Sequence, residues 1–401
     1  MKRQTYVCGL DVHKDNVYAA IYNGKDRSDV QVFGTFTEQI AQLIDWLEKS
    51  AVKQIALEST GIYWVPVWNM LEEKGFQLTL VNPWFIKQMP GRKSDVKDAQ
   101  WIATLLYKDM LRKSFVPPKQ IRVLRNYSRQ YVKLQWNASR VLLELAKQLE
   151  LCNIRLTSVF TKTDSLSIIR VIRLLISGCN DIQELLQCIS PVIMKRKGHL
   201  VKAALQGYIR EDSRFVLKLL MQQYDLLNQQ LCQTEAQMLE ICSQHYAEQL
   251  QLLQTIPGIK EQSAMQIISE TGGDMQAFES SSKMVGWAGL RPGNDESAGK
   301  IKSTKITKGN RYLKRILIQT SWGASRTKGS AFKIKFEQLA KRISRKKALV
   351  AISRRQLTVI WNVLSKKEPY KISSDSVATE KQIETQLKYH QRMVNQLKNL
   401  Q

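Results

Sequence analysis

The sequence predicts an α/β domain followed by a mostly helical chain. Two observations support this: short strand-like segments before residue 115, and helical apolar periodicity from about residue 120. A chain of 401 residues is long for one hydrophobic core, so several structural units are expected. We divide it into an α/β domain (1–120), a helical or coiled-coil region (121–250), a mainly α domain (251–370) and a polar tail (371–401).

The first domain opens with three short segments rich in β-branched or aromatic residues, YVCGLDV, NVYAAIY and VQVFGTF. A helical segment follows, EQIAQLIDWLEKS, and then an apolar strand, QIALES. A second helix, WVPVWNMLEEKG, closes at Gly75, and a strand, FQLTLVN, stops at Pro83. Three consecutive antiparallel strands followed by alternating helices and strands is the ribonuclease H order, an analogy of fold that does not by itself define a function.

The middle of the chain is helical, with long apolar periodicity in RNYSRQYVKLQWNASRVLLELAKQLEL. Residues 215–253 also carry apolar side chains at helical spacings, which suits a long amphipathic helix or coiled coil. Packing within one chain and a dimer interface explain this pattern equally well. The segment 156–214 is irregular, and its sequence assigns it no role.

Composition points to a polyanionic partner, because 61 Lys and Arg against 35 Asp and Glu give a net charge of +26. No run of about 18 apolar residues and no leader-like segment is present, so we expect a cytoplasmic, nucleoid-associated protein without a membrane partner. The six cysteines are scattered without zinc-site spacing, and only four histidines occur. Carboxylates and hydroxyls are therefore the expected catalytic groups.

Four carboxylates form the candidate metal site. Asp11 lies at the end of the first strand in GLDVHKD, and Glu58 at the end of the central strand in ALESTG. Asp95 and Asp98, three residues apart at the start of a helix, share one face. Their oxygens suit Mg²⁺ (or Mn²⁺), and two such ions could support phosphodiester cleavage. Taken singly, each has an ordinary explanation as a helix cap, a turn acid or a solvated strand end.

The C-terminal region offers a nucleic-acid surface. Residues 300–355 contain 18 basic residues and one acid, Glu337, together with aromatic side chains. Upstream, an IPGI turn followed by a helix resembles a helix-hairpin-helix, whose amides around Gly258 could hold a phosphate, although an ordinary helix turn looks similar. The candidate nucleic-acid contacts are Gly258, Lys300, Lys302, Lys305, Lys308 and Arg311.

Ser297 is the candidate nucleophile in this region. It lies in the turn-rich segment GLRPGNDESAGK, where small neighbours permit close approach of a phosphate. Lys300, Lys302 and Lys308 could neutralise the phosphate charge while the hydroxyl attacks phosphorus. A loop serine in a flexible DNA-contacting turn is the alternative explanation.

The chain resembles the IS110 family of insertion-sequence transposases. The resemblance rests on GLDVHKD, ALESTG, KSDVKDA, IPGI followed by ETG, and GLRPGNDESAGK followed by ITKGNRYLKR, in order along nearly the whole chain. It implies a RuvC-like N-terminal domain, a coiled-coil middle and a serine-bearing transposase domain. It also implies that Asp11, Glu58, Asp95 and Asp98 bind metal, that Ser297 is the nucleophile, and that a bridge RNA guides the recombinase.

The main hypothesis is therefore an RNA-guided transposase acting on donor and target DNA, as a dimer or tetramer. A RuvC-like Holliday-junction nuclease is the alternative, and it would need the carboxylates but not Ser297. A third hypothesis is a basic nucleic-acid-binding protein without activity, against which the complete set of four carboxylates argues.

Overall fold

The computed structural model describes residues 6–58, 61–83, 95–293, 295–297, 300–303 and 305–371, without side chains for 95–97, 295–297 and 300–302. The tail expected beyond Lys371 lies outside the described residues. The chain divides into two compact units, one ending at Pro117 and the other beginning at Pro118. Within the described residues, every helix is too short or too polar to cross a bilayer.

The first unit is a mixed six-stranded sheet in the order β3-β2-β1-β4-β5-β6. Its strands are β1 (Val7–Val12), β2 (Asn16–Tyr22), β3 (Gln31–Gly34), β4 (Gln54–Glu58), β5 (Gln77–Val81) and β6 (Lys113–Ser114). Its described helices are α1 (Thr37–Lys49), α2 (Trp64–Glu73) and α3 (Asp95–Tyr107).

The pairing confirms the expected α/β organisation. Strands β1, β2 and β3 are antiparallel neighbours, whereas β1, β4 and β5 run parallel, as helical crossovers require. Gly75 ends the α2 turn with a φ of 79°, a left-handed conformation that glycine adopts without strain. The short antiparallel strand β6 was not predicted, because two residues carry no alternation signal.

Gly9 of β1 allows α3 to pack directly on the sheet. A Cβ atom placed on Gly9 would lie 2.3 Å from the Ala99 carbonyl oxygen and 2.4 Å from the Ala103 backbone nitrogen. Ala99, Ile102 and Ala103 are fully buried at this contact. The small residues on both sides therefore bring the helix backbone against the strand, which fixes where the first turn of α3 lies.

The second unit is mostly helical. Its α-helices are α4 (Lys119–Leu151), α5 (Leu166–Ile176), α6 (Ile182–Gln187), α7 (Pro191–Ala204), α8 (Glu211–His245), α9 (Ala247–Gln254), α10 (Glu261–Thr271), α11 (Ser281–Trp287), α12 (Arg311–Ala324), α13 (Ala331–Ala340) and α14 (Arg345–Lys366). A two-stranded hairpin, β7 (Asp295–Ser297) and β8 (Lys300–Ser303), precedes α12.

The long helices α4 and α8 pack antiparallel within the chain. Tyr131, early in α4, shares a hydrophobic cluster with Met238, late in α8, whereas Leu149 at the far end of α4 lies in a cluster with Leu217. The segment 156–214, unassigned from sequence, supplies α5, α6 and α7 to that second cluster. The first cluster also contains the apolar faces of α10, α12 and α14.

Candidate active site

Asp11 and Glu58 lie side by side at the carboxyl ends of two parallel strands. The β1–β4 register pairs Leu10 with Leu57, and each carboxylate is the next residue of its strand. Facing residues of parallel strands point to the same side of a sheet, with the strands about 4.8 Å apart. Both side chains are buried, Asp11 at 4% and Glu58 at 7% exposure. The sheet therefore holds two carboxyl groups close together in a site of low dielectric.

The first turn of α3 lies over the same side of the sheet. Side chains alternate along a strand, so Asp11 points to the side of Gly9, against which α3 packs. Asp98 immediately precedes Ala99, the residue in contact with Gly9, and it is partly buried. Asp95 begins α3, but its side chain is outside the described residues. The backbone thus brings three of the four predicted ligands to one region, and the fourth is one turn away along α3.

His13 is a further neighbour of this site, beyond the four carboxylates predicted from the sequence. Its Nε2 atom lies 3.1 Å from Oδ2 of Asp11, and its ring is edge-on to Tyr18 with centroids 5.8 Å apart. The two-residue spacing from Asp11 places both on the same side of the chain, and that alternation could have indicated the contact. His13 therefore restricts the orientation of the Asp11 carboxylate.

The donor set fits a hard divalent cation, because every predicted ligand is a carboxylate. No group of three or more His, Cys, Asp or Glu side chains able to hold a metal ion is present among the described residues. Asp11, Glu58 and Asp98 are among these residues and form no such group by themselves, and the side chain of Asp95 lies outside the described residues, so the four-carboxylate site stays a prediction.

Thiol chemistry has little support in the chain. All six cysteines are free. Burial raises the pKa of the Cys242 thiol to about 12 and also raises that of Cys8, so neither forms a thiolate near neutral pH. The catalytic groups are thus sought among carboxylates and hydroxyls, as the composition indicated.

Ser297 lies at the end of β7, at the tip of the β7–β8 hairpin. It pairs with Lys300 across the hairpin, and its side chain is outside the described residues. Backbone pairing continues below the hairpin: Gly293 N–H donates to the Lys305 carbonyl at 2.8 Å, and Pro292 bridges to Ile306. The serine is therefore carried on a short paired element rather than on an open loop.

Two glycines hold the hairpin base against α11. A Cβ atom on Gly309 would lie 2.4 Å from the Gly289 backbone nitrogen, and Gly289 itself has a φ of 70°. Asn310 then donates its N–H to the Trp287 carbonyl at 3.1 Å. No larger residue fits between these two backbones, so the path of the chain into α12 is fixed by glycine.

Glu270 links the start of α12 to α4 through hydrogen bonds. It is 2% exposed and accepts two 2.9 Å hydrogen bonds from Arg129 and one of 2.6 Å from the Asn310 side chain. The Asn310 Oδ1 atom accepts from the backbone of Tyr312 and Leu313, capping α12. Glu270 belongs to the ETG motif, but its position in the sequence gave no sign of these partners.

The predicted nucleic-acid contacts are distributed as follows. Lys305, Lys308 and Arg311 are exposed around the start of α12, whereas the side chains of Lys300 and Lys302 on β8 are outside the described residues. All five residues lie in the stretch of chain from Lys300 to Arg311, which comes shortly after Ser297.

Gly258 has a packing role whether or not it contacts phosphate. It forms the turn between α9 and α10 with a φ of 85°, and a Cβ there would lie 2.2 Å from the Thr320 carbonyl of α12. That close approach by itself requires glycine at this position. Phosphate binding at the turn stays a prediction.

A ribonuclease H-like strand order with carboxylates at its centre, joined to a basic helical unit, defines a class of enzymes that act on nucleic acid. Two family models match the chain: a transposase model described as DEDD and IS110 over residues 8–154, and the transposase IS116/IS110/IS902 family over residues 250–337. Together they cover more than half of the chain. The chain belongs to the IS110 family and is a DNA transposase.

Individual proteins resemble the chain only weakly. No curated protein sequence matches the chain. Two structures of RuvC from Thermus thermophilus, one in complex with a Holliday junction substrate, share 13% and 14% identity with it. Each covers 27% of this chain and 99% or 100% of its own, with a TM-score of 0.22. The fold assignment rests on the strand order and the family match, and not on these two structures.

Proposed function

We propose that this transposase cleaves and rejoins DNA with a divalent-metal site formed by Asp11, Glu58, Asp95 and Asp98 and with Ser297 as nucleophile. The observation that carries the proposal is the placement of two buried carboxylates, Asp11 and Glu58, on adjacent parallel strands beneath the first turn of α3. Like charges in such a site repel, and a bound cation would offset the repulsion.

The residues of the site have separate tasks in this proposal. The four carboxylates would hold Mg²⁺ or Mn²⁺, which would supply stabilisation of the negative charge at the reacting phosphate. Asp11 and Glu58 are fixed by the sheet, while Asp95 and Asp98 come from the helix that Gly9 seats. His13 holds the Asp11 carboxylate through its Nε2 contact at 3.1 Å. Rigid placement of this kind is what positioning of a reacting phosphate requires.

Ser297 supplies the attacking oxygen in the proposed reaction. Its hydroxyl oxygen bonds to a DNA phosphorus while the bond to the 3′ or 5′ oxygen of the strand breaks, and the serine proton ends on that leaving oxygen. A later strand hydroxyl reverses the step. Five basic residues follow the serine closely enough in the chain to bind the phosphates around it: Lys300, Lys302, Lys305, Lys308 and Arg311. A serine hydroxyl needs activation by a base or a metal ion before it attacks phosphorus.

Specificity is proposed to come from a guide RNA, the bridge RNA that the family resemblance implies. The net charge of +26 provides affinity for a polyanion, whereas no zinc-finger spacing in the sequence offers a base-reading module. RNA that co-purifies from cells carrying the native flanking DNA should be one defined species. Only heterogeneous fragments in that preparation would contradict the guide.

Metal dependence tests the carboxylate site. DNA cleavage should require Mg²⁺ or Mn²⁺ and stop in excess EDTA, and Asp11→Asn should abolish it because a neutral amide is a poor ligand for a hard cation. Asp15→Asn is the matched control, since Asp15 is exposed in the turn after β1. Full cleavage by Asp11→Asn, or cleavage that survives chelation, would contradict the site.

A further inference from the structure

The outer face of α12 carries a groove that includes Lys308 and Arg311, two of the proposed phosphate contacts, and none of the proposed catalytic residues. It consists of two adjoining pockets of about 620 and 410 Å³ that share Arg315 and Ile318. The first pocket lies at the start of α12, and the second lies between its end and the start of α14. Lys308, Arg311 and Lys314 also line the first pocket, and Trp322, Arg345 and Lys346 line the second.

The charge of the groove is uniform. Six of its lining residues are Lys or Arg and none is acidic. Their described contacts are with neutral groups: Lys314 donates to the Thr307 carbonyl at 3.1 Å and Arg311 to the Tyr312 hydroxyl at 3.0 Å. Basic side chains on a concave surface without carboxylate partners create a strong positive potential, and a phosphate backbone is the matching ligand.

Aromatic rings lie along the same face. Trp322 is 37% exposed in the second pocket, and Trp136 of α4 is 48% exposed beside the first, with the Arg315 guanidinium 5.6 Å from its ring centroid. The Phe336 ring lies edge-on to the Trp322 ring. The Arg326 guanidinium lies 4.2 Å from the Trp322 ring centroid. Exposed indoles between cations are suited to stacking on unpaired bases, which duplex DNA does not present.

We propose that this groove binds single-stranded DNA during strand exchange. Arg311 and Trp322 are eleven residues apart, so the groove extends about 16 Å along α12, enough for roughly five stacked nucleotides. DNA is the occupant because the chain is a DNA transposase, and exchanging strands releases segments from pairing. The groove would bind its strand whether or not Ser297 is the nucleophile and whether or not an RNA guides the enzyme.

Direct binding by the full-length protein tests the groove. The probe is a fluorescent oligothymidylate of about 15 nucleotides, which covers the groove with single-stranded flanks. Trp322→Leu should weaken binding roughly five- to a hundredfold, and Trp322→Phe should stay within about threefold of the parent protein because a ring remains for stacking. Trp287→Leu is the matched control, since Trp287 is 39% exposed and lies outside the groove.

A charge variant provides the second arm. Reversing Arg345 and Lys346 together, R345E with K346E, should lower the slope of log affinity against log salt by about 1.4, the value for two lost single-strand phosphate contacts. Acidic residues are favourable at the start of a helix, so α14 should remain folded. Lys195→Glu with Arg196→Glu makes the same change on exposed residues of α7.

Each outcome decides the proposal. Selective loss of oligothymidylate binding in Trp322→Leu and in the Arg345 and Lys346 variant, with both controls unchanged, supports it. Equal effects of the groove and control variants overturn it, since binding would then follow net charge alone. A groove-dependent preference for oligouridylate or for duplex DNA over oligothymidylate also overturns it, and would assign the surface to RNA or to paired DNA.

Discussion

Glu270 is the residue on which three helices of the second unit converge. It lies in α10, pairs with Arg129 of α4 and contacts Asn310 at the cap of α12. Burial lowers the pKa of the neighbouring Arg125, whereas the hydrogen bonds with Glu270 raise that of Arg129. An acid that stabilises the charge of an adjacent arginine in a buried site has no low-cost replacement.

Replacing Glu270 with Gln should destabilise the protein by roughly 2 kcal/mol, because the change leaves the Arg129 charge partly buried without its counterion. The figure is below that of a fully buried pair because the Arg129 side chain is 39% exposed. Chemical denaturation measures the difference. Glu337→Gln is the control, since its 3.9 Å pair with Lys333 is exposed and should contribute less than about 0.5 kcal/mol. Equal losses for both variants would contradict the buried role of Glu270.

Sequence could not reveal this cluster. Arg129, Glu270 and Asn310 are far apart in the chain, and each has an ordinary local explanation: a polar helix face, a helix end and a turn. Asp11 and Glu58 were easier to find, because both the apolar strand and the acid that ends it are local features. The position of Asp11 and Glu58 at strand ends could therefore be predicted from single segments, whereas contacts that only folding creates could not.

At the scale of elements, the packing of α3 on β1 depends on glycine. The strand order of the first unit followed from alternation and turn residues, both of which can be read locally. The closeness of helix and strand at Gly9 could not be read, because it depends on the Ala99 and Ala103 backbone on the other side of the contact. The same limit applied to Gly258, whose turn was recognised while its packing against α12 was not.

Gly9→Ala should therefore displace α3. The added Cβ would meet backbone atoms at 2.3 and 2.4 Å, and overpacking of this kind costs roughly 3 kcal/mol. The rate of DNA cleavage should fall by more than the loss of folded protein alone would cause, because α3 carries Asp95 and Asp98. Urea denaturation and a cleavage assay provide the two measurements. Gly75→Ala is the comparison, because no atom lies within 4 Å and only its φ of 79° opposes the change, by about 1 kcal/mol. A fully active, equally stable Gly9→Ala protein would refute the packing argument.

At the scale of the whole molecule, the long helix α8 has apolar residues both in the core of its own chain and on its exposed surface. The sequence left open whether its apolar residues pack internally or between subunits. Internally, Leu217, Met221 and Met238 are buried. Externally, Phe215, Leu219 and Leu226 are 62%, 49% and 53% exposed at spacings that place them on one side of the helix. One helix thus carries both a buried apolar face and an exposed apolar stripe.

We expect that stripe to support self-association. Leu219→Glu combined with Leu226→Glu should shift the protein toward monomer, because charges replace apolar surface that another subunit would cover. Sedimentation velocity measures the change, and circular dichroism checks that the helix remains intact. Glu144→Lys, an exposed change on α4, is the control. A parent protein that is monomeric at every concentration, with or without DNA, would contradict the expectation.

The proposed reaction of the whole molecule depends on Ser297, and trapping its covalent bond to DNA is the most direct test. The test variant is Ser297→Ala, and the control is Ser303→Ala, which removes another hydroxyl from the same hairpin. The parent protein and both variants are incubated with donor and target DNA, denatured, digested and analysed by mass spectrometry for a nucleotide attached to the β7–β8 peptide. We predict an adduct on Ser297 in the parent protein and in Ser303→Ala, and none in Ser297→Ala, which should still bind DNA yet form no recombinants. Recombination by Ser297→Ala at the rate of the parent protein would contradict the account and make water or another residue the nucleophile.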